Sequence, residues 1–337
     1  MPTELEQRCR DLVVELGLGA REDVSEVRPL TGGVASDIAM VALPTQKICV
    51  KFALAKLRVA ADWQAPVHRN AAEYAWLKVA ADILPDSSVK LFGRSEKEHG
   101  FAMEFLDGKG VYLWKESLLE EAPDRGEAAR VADMLGQVHK ASAAEGFDTA
   151  AFQNRDDFRA LRIEPYLSFT AENHPDLAGQ IKPLEDMLYE SSNVLVHGDV
   201  SPKNILFRGD VPLVLDAECA TMGDASFDVS FCLNHLILKA VHLPGSTESL
   251  LGQMGQYWSA YAPHIAWEDP AALEAKICRL LPALMLARVD GKSPVEYLDE
   301  TGREAVRRLS IPLIKSPVSD LDTLVETLAN VLKDIRS

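Results

Sequence analysis

Residues 195–206 read LVHGDVSPKNIL, two apolar runs separated by a short polar gap. The first run ends at His197, Asp199 and Asn204 follow, and the second run begins at Ile205. Both runs have the composition of buried strands. The sequence therefore predicts a short loop between two strands that carries a carboxylate and an amide.

The segment after this loop predicts a β-hairpin. The turn signal RGD (208–210) follows the strand-like residues 204–207, and a second apolar strand covers 213–216. If these strands pair about the turn, the numbers of facing residues sum to about 420, so that Asn204 faces Asp216. The pairing would bring an amide oxygen and a carboxylate together at the open end of the hairpin.

The grouped oxygen donors of Asn204 and Asp216 indicate a magnesium site. They repel one another and are poorly solvated on their own, but they suit Mg²⁺ held beside phosphate oxygens. Asp199, on the loop that feeds the same edge, can accept a proton from an attacking hydroxyl. Phosphoryl transfer from ATP has these requirements: positioning, charge neutralisation and a base that orients the nucleophile.

HGDVSPKNIL, followed by LDAECATMGDASFD, resembles the kinase-fold small-molecule phosphotransferases, which include aminoglycoside phosphotransferases, choline kinases and methylthioribose kinases. The spacing His197-x-Asp199-x4-Asn204, with Asp216 downstream, is also similar to the catalytic loop and metal-binding aspartate of protein kinases. The resemblance implies ATP and Mg²⁺ as cofactors, Asp199 as catalytic base, and Asn204 and Asp216 as Mg²⁺ ligands. Glu218 is implied as a further metal ligand, as in methylthioribose kinases.

The N-terminal part of the chain supplies a candidate lysine–glutamate pair. Lys51 lies on a predicted strand (47–52), where its ammonium would contact the α- and β-phosphates. Glu73 lies on the apolar face of a predicted helix (69–84), and a buried carboxylate there needs a partner such as Lys51. An ordinary helix-surface pair between Glu73 and Arg69 is the alternative.

Two further segments match the family's nucleotide site. FAMEFL resembles the hinge, which implies that the backbone C=O of Glu104 and the backbone N–H of Leu106 hold the adenine edge. Gly32, Gly33 and Ser36 stand where the phosphate-covering turn belongs, directly before the first strand. A plain turn leading into a hairpin is the alternative for the glycine segment.

The chain also departs from its apparent relatives. Many of them have His two residues after the catalytic Asp and Gly before the Asn, whereas this chain has Ser201 and Lys203. Lys203 is therefore a candidate for the charge near the γ-phosphate. LPALMLARVDGKSPVEYL is similar to the substrate-facing arginine segment of methylthioribose kinases, which makes Arg288 and Lys292 candidate substrate residues, with solvated surface charges as the alternative. Asp228 is expected to brace the catalytic loop from a helix start.

The fold implied is α+β, protein-kinase-like and two-lobed. A small β-rich N-terminal lobe (1–106) would bind the nucleotide and end in the hinge. A larger, mainly α-helical C-terminal lobe (107–337) would carry the catalytic loop and the acceptor site, with ATP between the lobes. Helical spacing of apolar residues in 127–141, 178–190, 248–262, 272–289 and 319–335 supports the helical lobe.

The amino-acid composition disfavours some classes of binding partner. The chain has 35 Lys and Arg against 51 Asp and Glu, a net charge of −16, which disfavours binding to nucleic-acid phosphates or to a membrane surface. No apolar run approaches the roughly 20 residues of a membrane span. The five cysteines form no CxxC pair, so they are expected to be reduced core residues of a cytoplasmic protein. Oligomeric state cannot be read from the sequence.

The predicted function is ATP-dependent transfer of the γ-phosphate to a hydroxyl of a small molecule. The methylthioribose-like segments favour a sugar or sugar-like alcohol, and an aminoglycoside or choline-like amino alcohol is the alternative acceptor. A protein kinase is disfavoured because no Ala-Pro-Glu segment follows Asp216 to end an activation loop. A non-catalytic nucleotide-binding module is the remaining alternative.

Overall fold

The computed structural model describes residues 3–30, 36–54 and 66–336. The chain divides into two compact units, Met1–Val111 and Tyr112–Ser337. The sequence patterns place the lobe boundary slightly earlier, after residue 106, and the binding roles assigned to the two lobes stay predictions.

The first unit is built on an antiparallel sheet. Its strands are β1 (Glu26–Pro29), β2 (Ser36–Ala42), β3 (Lys47–Ala53), β4 (Leu91–Ser95) and β5 (Gly100–Glu104). Their spatial order is β1-β2-β3-β5-β4. The described part of this unit also has two α-helices, α1 (Glu4–Glu15) and α2 (Arg69–Ile83), and two short 3₁₀-helices, Arg21–Asp23 and Pro85–Ser87.

Alternation along β2 and β3 places the core of the first unit. Ala39 and Val41 of β2 and Ile48 and Val50 of β3 are fully buried, since side chains two residues apart share one face of a strand. They pack with one face of α1, whose buried residues are Cys9, Leu12 and Val13. The buried face fixes the register of the central strands that carry Lys51.

The second unit is mainly helical. Its helices are α3 (Trp114–Leu119), α4 (Glu127–Ser142), α5 (Arg155–Phe158), a π-helix (Arg159–Ser168), α6 (Phe169–Asn173), α7 (Ala178–Glu190), α8 (Ala225–His242), α9 (Thr247–Tyr261), α10 (Pro270–Asp290), α11 (Glu300–Lys315) and α12 (Leu321–Arg336). Its short strands are β6 (Val111–Leu113), which spans the division between the units, β7 (Val194–Val196), β8 (Ile205–Arg208), β9 (Val211–Val214) and β10 (Thr221–Gly223). β10 pairs with β7, and β8 lies between β6 and β9.

The predicted hairpin is present, but its predicted register is wrong by one residue. Arg208 pairs with Val211 and Ile205 pairs with Val214, so facing numbers sum to 419. The connection is a two-residue turn that starts at Gly209, whose φ is +61°, as a type II′ turn needs at its first central position. As a result Asn204 accepts a hydrogen bond at its backbone oxygen from Leu215, and it does not face Asp216.

Two observations bear on the surroundings of the chain. Among the residues that the structure describes, no helix combines the length and apolar character needed to cross a bilayer. All five cysteines are buried and carry free thiols. The cytoplasmic location inferred from the sequence stays a prediction.

Candidate active site

The loop between β7 and β8 is anchored by a buried carboxylate. Asp228, in the first turn of α8, accepts hydrogen bonds from the backbone N–H groups of His197 and Gly198 at 2.6 and 2.8 Å. Its Oδ2 also lies 3.4 Å from Nε2 of His139. Asp228, His139 and His197 are all fully buried. These contacts match the bracing role expected for Asp228: charge-assisted hydrogen bonds hold the loop to α8.

Gly198 is required by the geometry of this loop. Its φ is +81°, a conformation that L-residues with a side chain rarely adopt. A Cβ atom at this position would lie 2.8 Å from Cβ of Cys219 and 3.1 Å from the backbone oxygen of Cys219. Backbone conformation and packing thus both exclude a side chain here.

Gly198→Ala is expected to destabilise the protein by about 2–4 kcal/mol, since strain at positive φ adds to a clash with backbone. The free energy of unfolding, measured with urea, checks this. Gly209→Ala is the matched control, because Gly209 also has a positive φ but has nothing within 4 Å of the added Cβ. Equal losses for the two variants would contradict the packing account.

Asp199 is held by three side chains of the second unit. Its Oδ2 lies 3.1 Å from Nη2 of Arg162 and 3.2 Å from Nζ of Lys203, and its Oδ1 accepts a hydrogen bond from Oγ of Ser201 at 3.1 Å. Arg162 also donates to the backbone oxygen of Gly198. Asp199 is only 4% exposed, so its position is well defined.

These cations control the ionisation of Asp199. Burial raises its pKa, but the opposing charges of Lys203 and Arg162 outweigh burial and hold the pKa below the ordinary value. Asp199 in turn raises the pKa of Lys203. The carboxylate is therefore ionised at neutral pH and suited to orient a hydroxyl rather than to remove its proton in advance.

The predicted metal ligands lie at the end of the same loop and beyond the hairpin. Nδ2 of Asn204 donates to the backbone oxygen of Asp199 at 3.1 Å, which orients the amide and leaves its oxygen as the ligand atom. Asp216 has φ +71°, a left-handed conformation that is uncommon for residues other than glycine. Such strain concentrates at functional sites. Carboxylate oxygens of Asp216 and Glu218 lie within 4.8 Å of each other, a donor set that fits a divalent cation.

In the first unit, the predicted lysine–glutamate pair is formed. Nζ of Lys51 lies 2.7 Å from Oε2 and 2.9 Å from Oε1 of Glu73, and the two side chains are 3% and 1% exposed. Arg69 donates to the backbone oxygens of Leu54 and Pro66. A buried ion pair of this kind keeps both side chains in place, because removing either one would leave a buried charge.

The other residues predicted to bind the nucleotide are only partly described by the structure. Ser36 is the first residue of β2 and is buried, whereas Gly32 and Gly33 lie outside the described residues. Glu104 ends β5, its N–H donates to Lys90, and Leu106 follows in the irregular segment after the strand. The contact of these two residues with adenine stays a prediction.

The two candidate substrate residues, Arg288 and Lys292, lie close in sequence but differ in solvent exposure. Arg288 is half-buried near the end of α10, whereas Lys292 is exposed after the helix. Arg162, which contacts Asp199, is a residue that no sequence motif indicates. Pro165, in the middle of a helical run, is the one sequence signal for the π-helix that carries Arg162, because proline cannot continue α-helical hydrogen bonding.

Comparison with known proteins identifies the family and the fold of the chain. A model of the phosphotransferase enzyme family (APH) matches residues 26–273. No curated protein matches the sequence. Several solved structures share the fold at low sequence identity. One is a choline/ethanolamine kinase family protein from Mesorhizobium loti, 14% identical, covering 98% of this chain and 94% of that one with a TM-score of 0.53.

Two more structures have similar scores. The choline kinase LicA from Streptococcus pneumoniae is 12% identical, with 98% and 100% of the two chains covered and a TM-score of 0.53. The amicoumacin kinase hAmiN, solved in complex with AMP-PNP, Ca²⁺ and Ami, is 12% identical, with 96% and 100% covered and a TM-score of 0.54. The predicted protein-kinase-like α+β fold is confirmed by these matches. Since the family match spans well over half of the sequence, the chain belongs to the phosphotransferase enzyme family and is a small-molecule kinase.

Proposed function

We propose that the chain transfers the γ-phosphate of ATP to a hydroxyl of a small molecule that approaches Asp199. The observation that carries the proposal is the environment of Asp199, a buried carboxylate kept ionised by Arg162 and Lys203 on a loop braced by Asp228. Phosphoryl transfer proceeds through a loose transition state, so it needs a positioned hydroxyl more than a strong base. An ionised, immobile carboxylate supplies that positioning.

A divalent cation, Mg²⁺ in the cell, would be held by Asn204, Asp216 and Glu218. All three offer oxygen donors, which Mg²⁺ prefers, and the strained backbone of Asp216 supports a functional role for its carboxylate. The cation neutralises charge on the phosphates when bound. The chain's contribution is to present these oxygens from a loop and a hairpin that are fixed by backbone hydrogen bonds.

The triphosphate is assigned to Lys51, positioned by Glu73. The ion pair orients the ammonium as a point charge suited to phosphate oxygens. Ser36, Gly32 and Gly33 are proposed to cover the phosphates, and the backbone at Glu104 and Leu106 is proposed to hold the adenine. Lys203, whose Nζ lies 3.2 Å from Oδ2 of Asp199, is proposed to add positive charge where the γ-phosphate is transferred.

For the acceptor, we favour a sugar or sugar-like alcohol over a cationic amino compound. The methylthioribose-kinase-like segment around Arg288 supports the first choice. The side chains around Asp199 also disfavour a cation, because Arg162 and Lys203 already compensate its charge. A quaternary ammonium or aminoglycoside would meet positive charge there without a carboxylate to pair with.

ADP release from Mg-ATP, measured against a panel of hydroxyl compounds, tests the function. We expect release that depends on both Mg²⁺ and an acceptor, at about 1–100 per second for a true substrate. Labelled ATP with generic protein substrates is the control and should label no protein. The proposal is wrong if the enzyme shows no Mg²⁺-dependent ADP release with any acceptor or with water.

A further inference from the structure

A set of basic and polar side chains on α8, α10 and the segment after α10 is not used by the phosphotransfer residues. His235 and Lys239 lie one turn apart on α8, which packs against α10, and both are buried. Arg288 lies on α10, and Tyr297 follows in the segment after it. We call these four residues the basic cluster.

The members of the basic cluster lie near one another and near Asp199. Nζ of Lys239 lies 5.3 Å from the ring centroid of Tyr297. Burial lowers the pKa of His235 well below its usual value, the positive charges of Lys239 and Arg288 lower it further, and the negative charge of Asp199 acts in the opposite direction. The ring of His235 lies 5.3 Å from that of Phe231, and the ring of Phe231 lies 5.6 Å from that of Tyr166. Tyr166 belongs to the π-helix that carries Arg162, so the cluster packs next to the helix that holds Asp199.

Arg288 is fixed by its neighbours. Its Nη1 donates to Oγ of Ser293 at 3.1 Å, to the backbone oxygen of Ser293, and to Oη of Tyr166 at 3.3 Å. Tyr166 lies one helical turn after Arg162 on the π-helix, and Arg162 binds Asp199. The guanidinium is thus oriented by hydrogen bonds to neutral groups.

Three buried polar atoms of the cluster have no hydrogen-bond partner within the described part of the chain. They are Nε2 of His235, Nε of Arg288 and Oη of Tyr297. Buried polar groups are nearly always satisfied in native proteins, and several unsatisfied ones in one place point to a ligand. These three can all donate a hydrogen bond, so the ligand group they fit is an acceptor.

The two cations of the cluster have no ion-pair partner among the described residues. Glu296 attracts both Lys239 and Arg288, but it is 68% exposed and pairs with Lys115 at 2.5 Å. Asp199 is already paired with Arg162 and Lys203. Across the described ranges, no carboxylate forms an ion pair with Lys239 or Arg288. A desolvated cation without a counter-ion is unfavourable unless a ligand supplies the charge.

We propose that the acceptor carries an oxyanion, a carboxylate or a phosphate, in addition to the hydroxyl that is phosphorylated. The oxyanion would accept hydrogen bonds from Arg288 and His235 and pair with Lys239, while the hydroxyl points at Asp199. The proposal rests on the proposed kinase function and narrows it to anionic sugars and hydroxy acids. It excludes choline-like and aminoglycoside acceptors, because the cluster offers no negative charge for them.

The first test uses the unmodified enzyme. Acceptors are compared in pairs in which one member carries an oxyanion group that the other lacks: glycerate and glycerol 3-phosphate against glycerol, and gluconate and glucose 6-phosphate against glucitol and glucose. Choline and kanamycin represent the cations. We expect kcat/KM to be at least about tenfold higher for the anionic members, and the carboxylate and phosphate arms show which oxyanion is preferred.

Variants then test the residues. Arg288→Gln and Lys239→Met should each raise KM for the best anionic acceptor by about tenfold or more, leave KM for ATP within about twofold, and remove the preference over the neutral partner. Arg279→Gln, an exposed arginine on the same helix, is the matched control and should change neither constant. Neutral or cationic acceptors used as well as anionic ones would overturn the inference and leave the kinase function standing. Absence of any Mg²⁺-dependent ADP release would instead remove the kinase function, and the inference with it.

Discussion

Asp199→Asn is expected to lower kcat for the true acceptor by about a thousandfold, because the variant loses a positioned proton acceptor. The amide can still accept a hydrogen bond from Ser201, but it carries no charge to attract the hydroxyl proton as the bond to phosphorus forms. Its NH₂ group would also face Arg162 and Lys203, which hold the carboxylate in the native protein. Both cations would lose their partner, so positioning and chemistry fail together.

The measurement is ADP release at saturating Mg-ATP and acceptor, with KM for ATP recorded separately. Asp210→Asn is the matched control, because Asp210 is an exposed aspartate at the turn of the hairpin that follows the catalytic loop. It should retain the kcat of the native enzyme. The role assigned to Asp199 would be wrong if the Asp199→Asn variant kept kcat within about tenfold of the native value while remaining folded.

The parts of the site that the sequence predicts well are those whose geometry is local. Asp199 and Asn204 lie on one loop between two apolar runs, and the loop is present with Asn204 bound to the backbone of Asp199. The pair between Lys51 and Glu73 is long-range, yet a strand pattern and one helical face are enough to predict it. In both cases, periodicity determines which way a side chain points.

The hairpin register shows where local patterns stop being sufficient. The triplet RGD (208–210) suggests a three-residue connection, but Arg208 belongs to β8 and pairs with Val211. Only Gly209 and Asp210 form the turn. Because a single residue changes which positions face each other, turn type cannot be chosen from composition alone. Asn204 is instead joined to Leu215 by a backbone hydrogen bond, and Asp216 follows with a left-handed backbone conformation that no pattern in the sequence indicates.

The basic cluster and Arg162 could not be predicted from sequence patterns, for a different reason. Every residue from 225 to 241 in α8 is buried, so the helix shows no polar face and no amphipathic period. His235 and Lys239 therefore look like isolated polar residues in an apolar run. Arg162 reaches Asp199 through a π-helix that shifts side-chain positions relative to an α-helix. Only the packing of helices distant in sequence reveals what these residues share.

Lys239 should make the protein less stable at neutral pH. Burial first, and then the charge of Lys115, lower its pKa from 10.5 to about 7. Between these two values the unfolded chain binds a proton that the folded chain does not, so the free energy of unfolding rises with pH across that interval. Below about pH 7 both states are protonated, and the full penalty is present.

Lys239→Met is therefore expected to increase the free energy of unfolding by about 4 kcal/mol at pH 7, with the gain shrinking toward pH 10. Urea unfolding at several pH values measures it, and Lys140→Met, an exposed lysine on α4, should show no such pH-dependent gain. A Lys239→Met variant less stable than the native protein at pH 7 would mean that the ammonium is compensated in the folded state. A variant that is more stable but binds the anionic acceptor poorly would separate the two roles, because misfolding cannot explain the weaker binding. The buried charge would then be retained for the ligand's oxyanion, at the expense of stability.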